Sequence, residues 1–333
     1  MKSITILALD NSLLSGIVGP LEIFAIADRL YGQEMFSPLN IVSIADSSAI
    51  SFSNITIPVT GTLDDFSNKD PDKTFSDIII IPPVFAELDA LLENTLLIRW
   101  LREQVVAGAI IATVCAGSFL LAETGCISGK VATTHWQLIN KFRNRYPHVD
   151  LQPDRMLVDG GSYICAGGAM AWQDLSLHIV ARFISKEVAS SCAKTLVMDG
   201  TRHVQTPYFM FDTGTKQTKD SLLVTDSAID SVLMWLQENY TEGITAGQLA
   251  QKSALGERTF LRRFKKATGL TPMGYLQQLR VEAARHYLEV SNKNIEEVTL
   301  IVGYEDVSSF RRLFKEKTGL TPREYRQRFN RLV

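Results

Sequence analysis

The sequence predicts two folds in series. The first is an α/β domain on a doubly wound, mostly parallel sheet, and the second is an all-α domain with two helix-turn-helix units. Three observations carry this. Short apolar runs alternate with helical periodicities over roughly the first 200 residues, the pattern of strands joined by crossover helices. A stretch of 18 residues occurs twice near the C terminus, 50 residues apart, and duplication fixes architecture before any local assignment. Charge is also divided: residues 1–226 carry 17 Lys+Arg against 24 Asp+Glu, whereas residues 227–333 carry 17 against 12. A basic module on an acidic body suits nucleic-acid binding confined to one end.

The elements follow in order. Residues 4–9 form a short apolar run, a buried parallel strand. Gly19-Pro20 opens a helix, GPLEIFAIADRL, with Leu21, Phe24, Ala25 and Ala27 toward the core,. Residues 39–45 are a second strand, and 46–77 hold short extended pieces and a polar loop, SNKDPDK. The run DIIII at 77–81 is apolar enough for a central strand. A helix is expected over 96–107, a strand over 109–114, and a helix starting at Cys115 and ended by Gly125. A short strand at 131–133, a helix over 135–145, a strand over 162–166 and a helix over 170–185 complete the domain. From 205 to 226 the sequence mixes Thr, Gly, Lys and Asp without period, as a linker does. The boundaries are therefore 1–204, 205–226 and 227–333.

In the basic module, FLRRFKKATGLTPMGYLQ at 260–277 aligns with FRRLFKEKTGLTPREYRQ at 310–327, with 11 of 18 positions identical. Each copy sets two phenylalanines at i, i+4, Phe260 with Phe264 and Phe310 with Phe314, which places both on one buried face. Gly269 and Gly319 end the basic helix as C-cap glycines. Thr271-Pro272 and Thr321-Pro322 start the next with a Thr N-cap and Pro at the first helical position. A short amphipathic helix precedes each basic one (245–253 and 295–302), and a long helix, 271–290, joins the halves. Helix, tight turn and basic helix is the arrangement whose second helix enters the DNA major groove. Glu257, Leu261 and Arg262 in the first unit, with Asp306, Ser308, Ser309 and Arg312 in the second, are the candidate base readers. Lys265, Lys266, Lys315 and Lys317 are the candidate phosphate contacts.

On these residues the segment 226–333 resembles the DNA-binding domain of AraC-family transcription regulators, its second copy, IEEVTLIVGYEDVSSFRRLFKEKTGLTPREYR, throughout. One departure is Gly256, where the family commonly has Ser at the start of the first recognition helix.

In the α/β domain, strand, Cys115-Ala116-Gly117 and helix make a nucleophile-elbow pattern, with the side chain on a tight turn above a helix N-terminus. Such a setting lowers a thiol pKa and binds anions; equally, a small apolar Cys simply fits a crowded turn. The surrounding VCAGSFLLAETGCISGKVATTHW resembles the type 1 glutamine amidotransferase-like superfamily, in its PfpI-like branch. The resemblance implies that Glu22 in GPLEIF faces the cysteine and that His135 in TTHW lies near it. With the AraC-type module, the whole chain resembles GlxA-type regulators, in which the amidotransferase-like domain is a sensor.

Hydrolases of that branch carry His directly after the cysteine, where this chain has Ala116. They also place a Gly-Gly pair after the strand corresponding to DIIII, where this chain has Pro83-Val84. Proline has no N–H to offer an oxyanion, and one lost oxyanion donor costs roughly 100- to 1,000-fold in rate. A ligand-binding crevice of Glu22, Pro83, Cys115, Ala116 and His135 at the C-terminal edge of the sheet is therefore expected rather than a catalytic site. Trp136 and Phe85 are either its wall or core. An acidic residue with aromatics suits an amino acid or amine, and the resemblance agrees, because relatives respond to such metabolites. The alternative is an active cysteine amidase with a DNA-binding appendage, using His135 as base.

No run reaches the ~18 to 20 apolar residues of a membrane helix. Asp10 interrupts the N-terminal apolar run too early for a secretory signal. Cys115, Cys126, Cys165 and Cys192 have neither metal spacing nor a disulfide framework. The expectation is a cytoplasmic, non-catalytic regulator without cofactor or metal, a homodimer whose partners are double-stranded DNA, a small-molecule effector and RNA polymerase.

Overall fold

Fully apolar strands need both faces covered, and the chain meets that need with helices on either side of a parallel sheet. The computed structural model of the protein describes residues 1–66, 76–199, 202–211 and 226–330. It divides into two units, Met1–Gln205 and Thr206–Val333. The first begins with β1 (Lys2–Leu7), α1 (Ser15–Tyr31) and β2 (Phe36–Ser43). The β3 (Ser48–Ile50) and β4 (Thr56–Pro58) hairpin follows, then β5 (Gly61–Thr62), β6 (Ile78–Ile81), α2 (Leu88–Leu92) and α3 (Thr95–Val106). Next come β7 (Ile110–Val114), α4 (Gly117–Glu123), β8 (Val131–Ala132), α5 (Ile139–Arg145) and β9 (Asp150–Leu151). The unit closes with β10 (Leu157–Asp159), β11 (Tyr163–Ala166), α6 (Trp172–Phe183) and α7 (Lys186–Thr195).

The main sheet runs β10-β11-β7-β6-β1-β2-β5. It is parallel except where β10 pairs antiparallel with β11. Register places Ile81 of β6 opposite Thr113 of β7. Pro83 and Cys115, each two residues further on, therefore leave adjacent strands at the same C-terminal edge. The β6 residues Ile78, Ile79, Ile80 and Ile81 are all fully buried.

Three differences from the sequence reading have local causes. The first helix starts at Ser15, so Gly19-Pro20 lies inside it rather than opening it. Gly16 and Gly19 serve close packing instead. A Cβ on Gly16 would come 2.5 Å from the Pro83 ring, and one on Gly19 would come 2.4 Å from the Trp172 ring. The helix expected over 170–185 ends at Phe183, and α7 follows, N-capped by Ser185, whose hydroxyl accepts from the Val188 N–H at 3.2 Å. Its polar sequence, KEVASSCAKT, shows little apolar period, yet it buries Ala189 and Cys192. The edge strand β10 is three residues long, too short to stand out in sequence. The polar loop at 67–73 lies outside the described residues, as does most of the expected linker, 212–225.

The second unit holds α8 (Ser227–Asn239), α9 (Ala246–Lys252), α10 (Glu257–Thr268), α11 (Pro272–Val290), α12 (Ile295–Ile301), α13 (Val307–Thr318) and α14 (Pro322–Phe329). Its apolar interior is in two parts. Ile229, Leu249, Phe260, Phe264 and Leu276 centre the first; Val281, Leu288, Val298, Phe310 and Phe314 centre the second. The helix α11 supplies residues to both. Among the described residues no helix is long and apolar enough to cross a membrane.

Candidate DNA-reading helices and sensor crevice

Both basic helices are built alike. Phe260, Phe264, Phe310 and Phe314 are fully buried, which turns the intervening charged residues outward. Gly269 and Gly319 sit at φ 74° and 75° and close each helix in the left-handed conformation, where other residues are strained. Thr271 and Thr321 cap the following helices through Gly274 N–H and Glu324 N–H. The starts of the two basic helices differ. Asp306 accepts from the N–H groups of Ser308 at 3.2 Å and Ser309 at 2.8 Å; a bond from the Ser309 hydroxyl, with these two, holds its carboxyl below the ordinary range. Gly256 offers α10 no side-chain cap.

Glu257, Leu261, Arg262, Lys265 and Lys266 are exposed on α10 or its first turn, and Asp306, Ser308, Ser309, Arg312 and Lys315 are exposed on or before α13. Lys317 is half-buried and pairs with Glu316 at 3.2 Å. Arg312 reaches Ser309 Oγ at 3.4 Å. Two neighbouring arginines are committed elsewhere: Arg263 forms a two-pronged bond to Asp226 at 2.7 and 2.6 Å, and Arg311 pairs with Glu296 at 2.8 Å. Among the described residues no ion pair engages Arg262, Lys265, Lys266, Arg312 or Lys315.

In the first unit Cys115 stands at φ 58°, a left-handed conformation unusual for a side chain with a Cβ. The turn is held from both sides. The Cys115 N–H donates to Ala166 O at 2.8 Å, and its carbonyl accepts from Ser118 Oγ at 3.0 Å and Thr134 Oγ1 at 3.2 Å. Gly117 lets α4 approach β6, because a Cβ there would lie 3.0 Å from Ile81 Cγ2. Cys115 and Ala116 are only 6% and 7% exposed. Burial pushes the Cys115 thiol up to about 12, an effect the Ala116 N–H offsets only in part. The direction is opposite to the lowered pKa a helix N-terminus favours, because desolvation is the larger cause,.

Pro83 is buried with its ring on Gly16, and its carbonyl accepts from the Leu13 N–H at 2.9 Å. His135 caps the 3-10 turn Trp136–Leu138: its Nδ1 accepts from the Gln137 N–H at 3.2 Å. Its ring stacks on Trp136 at 5.5 Å, and burial lowers its pKa. Thr134 links it in sequence to the Cys115 carbonyl, but among the described residues no hydrogen bond joins His135 to the thiol. Glu22 is exposed on α1. Phe85 is exposed too, its ring tilted against Phe52 with centroids 4.8 Å apart.

Sequence reasoning missed three groups here. The Trp172 ring covers Gly19, and among the described residues its buried Nε1–H and the fully buried Ser12 hydroxyl have no hydrogen-bond partner. Gln205, placed in the expected linker, is 1% exposed; its Nε2 donates toward Thr134 O, Pro153 O and Arg155 O, each at 3.0 Å. The spacing of Gly16 and Gly19 on one helix was the signal for the tryptophan contact. Nothing local marks Ser12, and the partners of Gln205 come from distant segments.

Comparison with known proteins agrees with this layout. Residues 2–182 match the DJ-1/PfpI family, and residues 249–328 match a helix-turn-helix domain. The chain is 23% identical over 304 residues to the HTH-type transcriptional regulator CdhR of Pseudomonas aeruginosa, covering 91% of this chain and 85% of that one. It is 24% identical over 310 residues to the HTH-type transcriptional regulator GbdR of the same species, covering 93% and 80%. Among solved structures, a putative transcriptional regulator from Vibrio parahaemolyticus superposes with a TM-score of 0.52 at 21% identity, over 59% of this chain and 98% of that one. An AraC family transcriptional regulator from Pseudomonas putida gives 0.51 at 14% identity, over 59% and 100%. These likenesses show the fold.

Proposed function

The chain belongs to the DJ-1/PfpI family and carries a C-terminal helix-turn-helix domain, and from this we propose that it is a transcription regulator whose two basic helices read successive major-groove segments. The observation that carries the reading is the pair of matched helices with buried phenylalanines and exposed cations on the opposite face. The similarity to HTH-type transcriptional regulators over most of the chain supports it. Glu257, Leu261, Arg262, Ser308, Ser309 and Arg312 read bases, while Lys265, Lys266, Lys315 and Lys317 hold phosphates. Asp306 acts first as a helix cap. Footprinting of the full chain on a selected duplex tests this: two protected segments on one DNA face, about one helical turn apart, are expected.

The α/β domain, in the same reading, binds a small effector, an amino acid or amine, at the edge formed by Pro83, Cys115, Ala116 and His135. Glu22 supplies the negative charge. No turnover is involved, and the regulator works in the cytoplasm as a homodimer that acts with RNA polymerase. The left-handed Cys115 favours the amidase alternative, since strained elbows expose nucleophiles. Against it stand a thiol pushed up to about 12, a histidine whose Nδ1 is occupied, and a proline at the oxyanion position. An assay for ammonia release from simple amides, with Cys115→Ala as control, separates the two readings. Equal background from both proteins is expected.

A further inference from the structure

Two recognition helices address one DNA duplex only if the halves that carry them keep a fixed distance and rotation. The helix α11 runs through both halves, with Tyr275, Leu276 and Leu279 in the first core and Val281, Ala284 and Leu288 in the second. One helix is a weak hinge pin, because long helices bend. Two further ties cross the same boundary, and each is gathered by an arginine of α11.

The first tie is the segment Thr206–Phe211, N-terminal to α8 and read from sequence as linker. Phe211 packs edge-on against Tyr275 at 4.9 Å, in the first half. Tyr208 packs edge-on against Phe329 at 5.5 Å and accepts from Arg328 Nη2 at 2.8 Å, in the second. Between them Arg285, 3% exposed, donates to the carbonyls of Phe209 and Thr206, and pairs with Glu282 at 3.0 Å. The second tie is Arg280. It donates to Tyr240 O and Glu242 O of the first half, both at 2.7 Å, and lies 5.0 Å from the Tyr304 ring centre of the second. Beside it, Gly303 is pressed so close to Thr241 that a Cβ would come 2.5 Å from the Thr241 carbonyl oxygen. Arg280 and Arg285 are five residues apart, which puts them about 140° apart around the helix. The ties therefore brace different sides of α11.

We infer that these two arginine-centred brackets set the spacing of the two DNA segments the protein accepts, making Tyr208, Arg280 and Arg285 positioning residues for specificity although none lies on a recognition helix. The inference rests on the two-segment reading above. It extends the DNA-reading module upstream to Thr206.

The test uses the full chain and a duplex selected by it from random-sequence DNA, with derivatives that insert or delete one base pair between the two protected segments. Wild type is expected to lose about tenfold or more in affinity per one-pair change, the scale of one lost base contact. Tyr208→Ala and Arg280→Ala should each narrow that penalty, and the double variant should reduce it to about twofold. All should bind a duplex carrying one segment alone as wild type does. A wild type indifferent to spacing would defeat the two-segment reading itself. A spacing-sensitive wild type matched by the variants would overturn the inference alone. The single variants are read in the same way, so a double variant that fails to fold leaves the test decisive.

Discussion

A thiol at the top of a sheet can be a nucleophile or a shaped apolar contact, and desolvation weighs Cys115 toward the second. Its folded pKa is raised from 9.0 to about 12. The folded state therefore holds the thiol proton more tightly than the unfolded state, and stability conferred by neutral Cys115 falls as pH rises from about 9 through 12. Alkylation of native protein by iodoacetamide at pH 7.5 should be slow at this residue and speed up on unfolding. Peptide mass mapping reads it, and fast native labelling of Cys115 would reinstate an activated thiol. At the DNA face the cations divide by their surroundings. Arg312→Ala is expected to cost ~1 to 3 kcal/mol and relax sequence preference, whereas Lys315→Ala weakens all sequences alike and flattens the salt dependence. Competition binding at several salt concentrations distinguishes them, and an unchanged preferred sequence in Arg312→Ala would remove its base-reading role.

At the scale of elements, duplication has produced two helices with the same core contacts and different starts. Asp306 occupies two N–H groups at the head of α13, while Gly256 offers none at α10. Replacing Asp306 by Ala should therefore cost ~0.5 to 2 kcal/mol of stability, seen as a lowered melting temperature. Gly256→Ser should gain a few tenths of a kcal/mol by the same mechanism. The two cores are separate enough to fail separately. Phe310→Ala opens a cavity costing ~3 to 5 kcal/mol in the half that contains α12, α13 and α14. Its footprint should shrink to the segment read by α10, since local cores open in cooperative units. Loss of both segments together would show that the halves are one cooperative unit.

At the scale of the whole molecule, an effector changes DNA binding only through different affinities for two protein states. If Glu22 holds the effector's charge, Glu22→Gln should abolish the effector response and leave DNA affinity without effector unchanged; Cys115→Ser should alter the response only modestly. Titration of candidate amines against a fluorescent operator reads both, and a normal response in Glu22→Gln would move the charge site elsewhere. Much of the molecule was legible in its sequence, because the signals were local. Runs such as IIII at β6, the i, i+4 phenylalanine pairs, the Gly C-caps and the Thr-Pro helix starts each encode their structure within a few residues. So did the cysteine turn, whose strand, Cys and small residues are consecutive. What only tertiary structure decided depends on segments far apart in the chain. The upward shift of the Cys115 thiol comes from burial, and the role of Gly16 and Gly19 comes from Pro83 and Trp172. The anchoring of 206–211 comes from Arg285 and Tyr275, more than 60 residues downstream. A segment without period reads as linker, since periodicity reports only the one continuous face that a helix or strand buries. Contacts made residue by residue, to carbonyls and ring edges, leave no such trace.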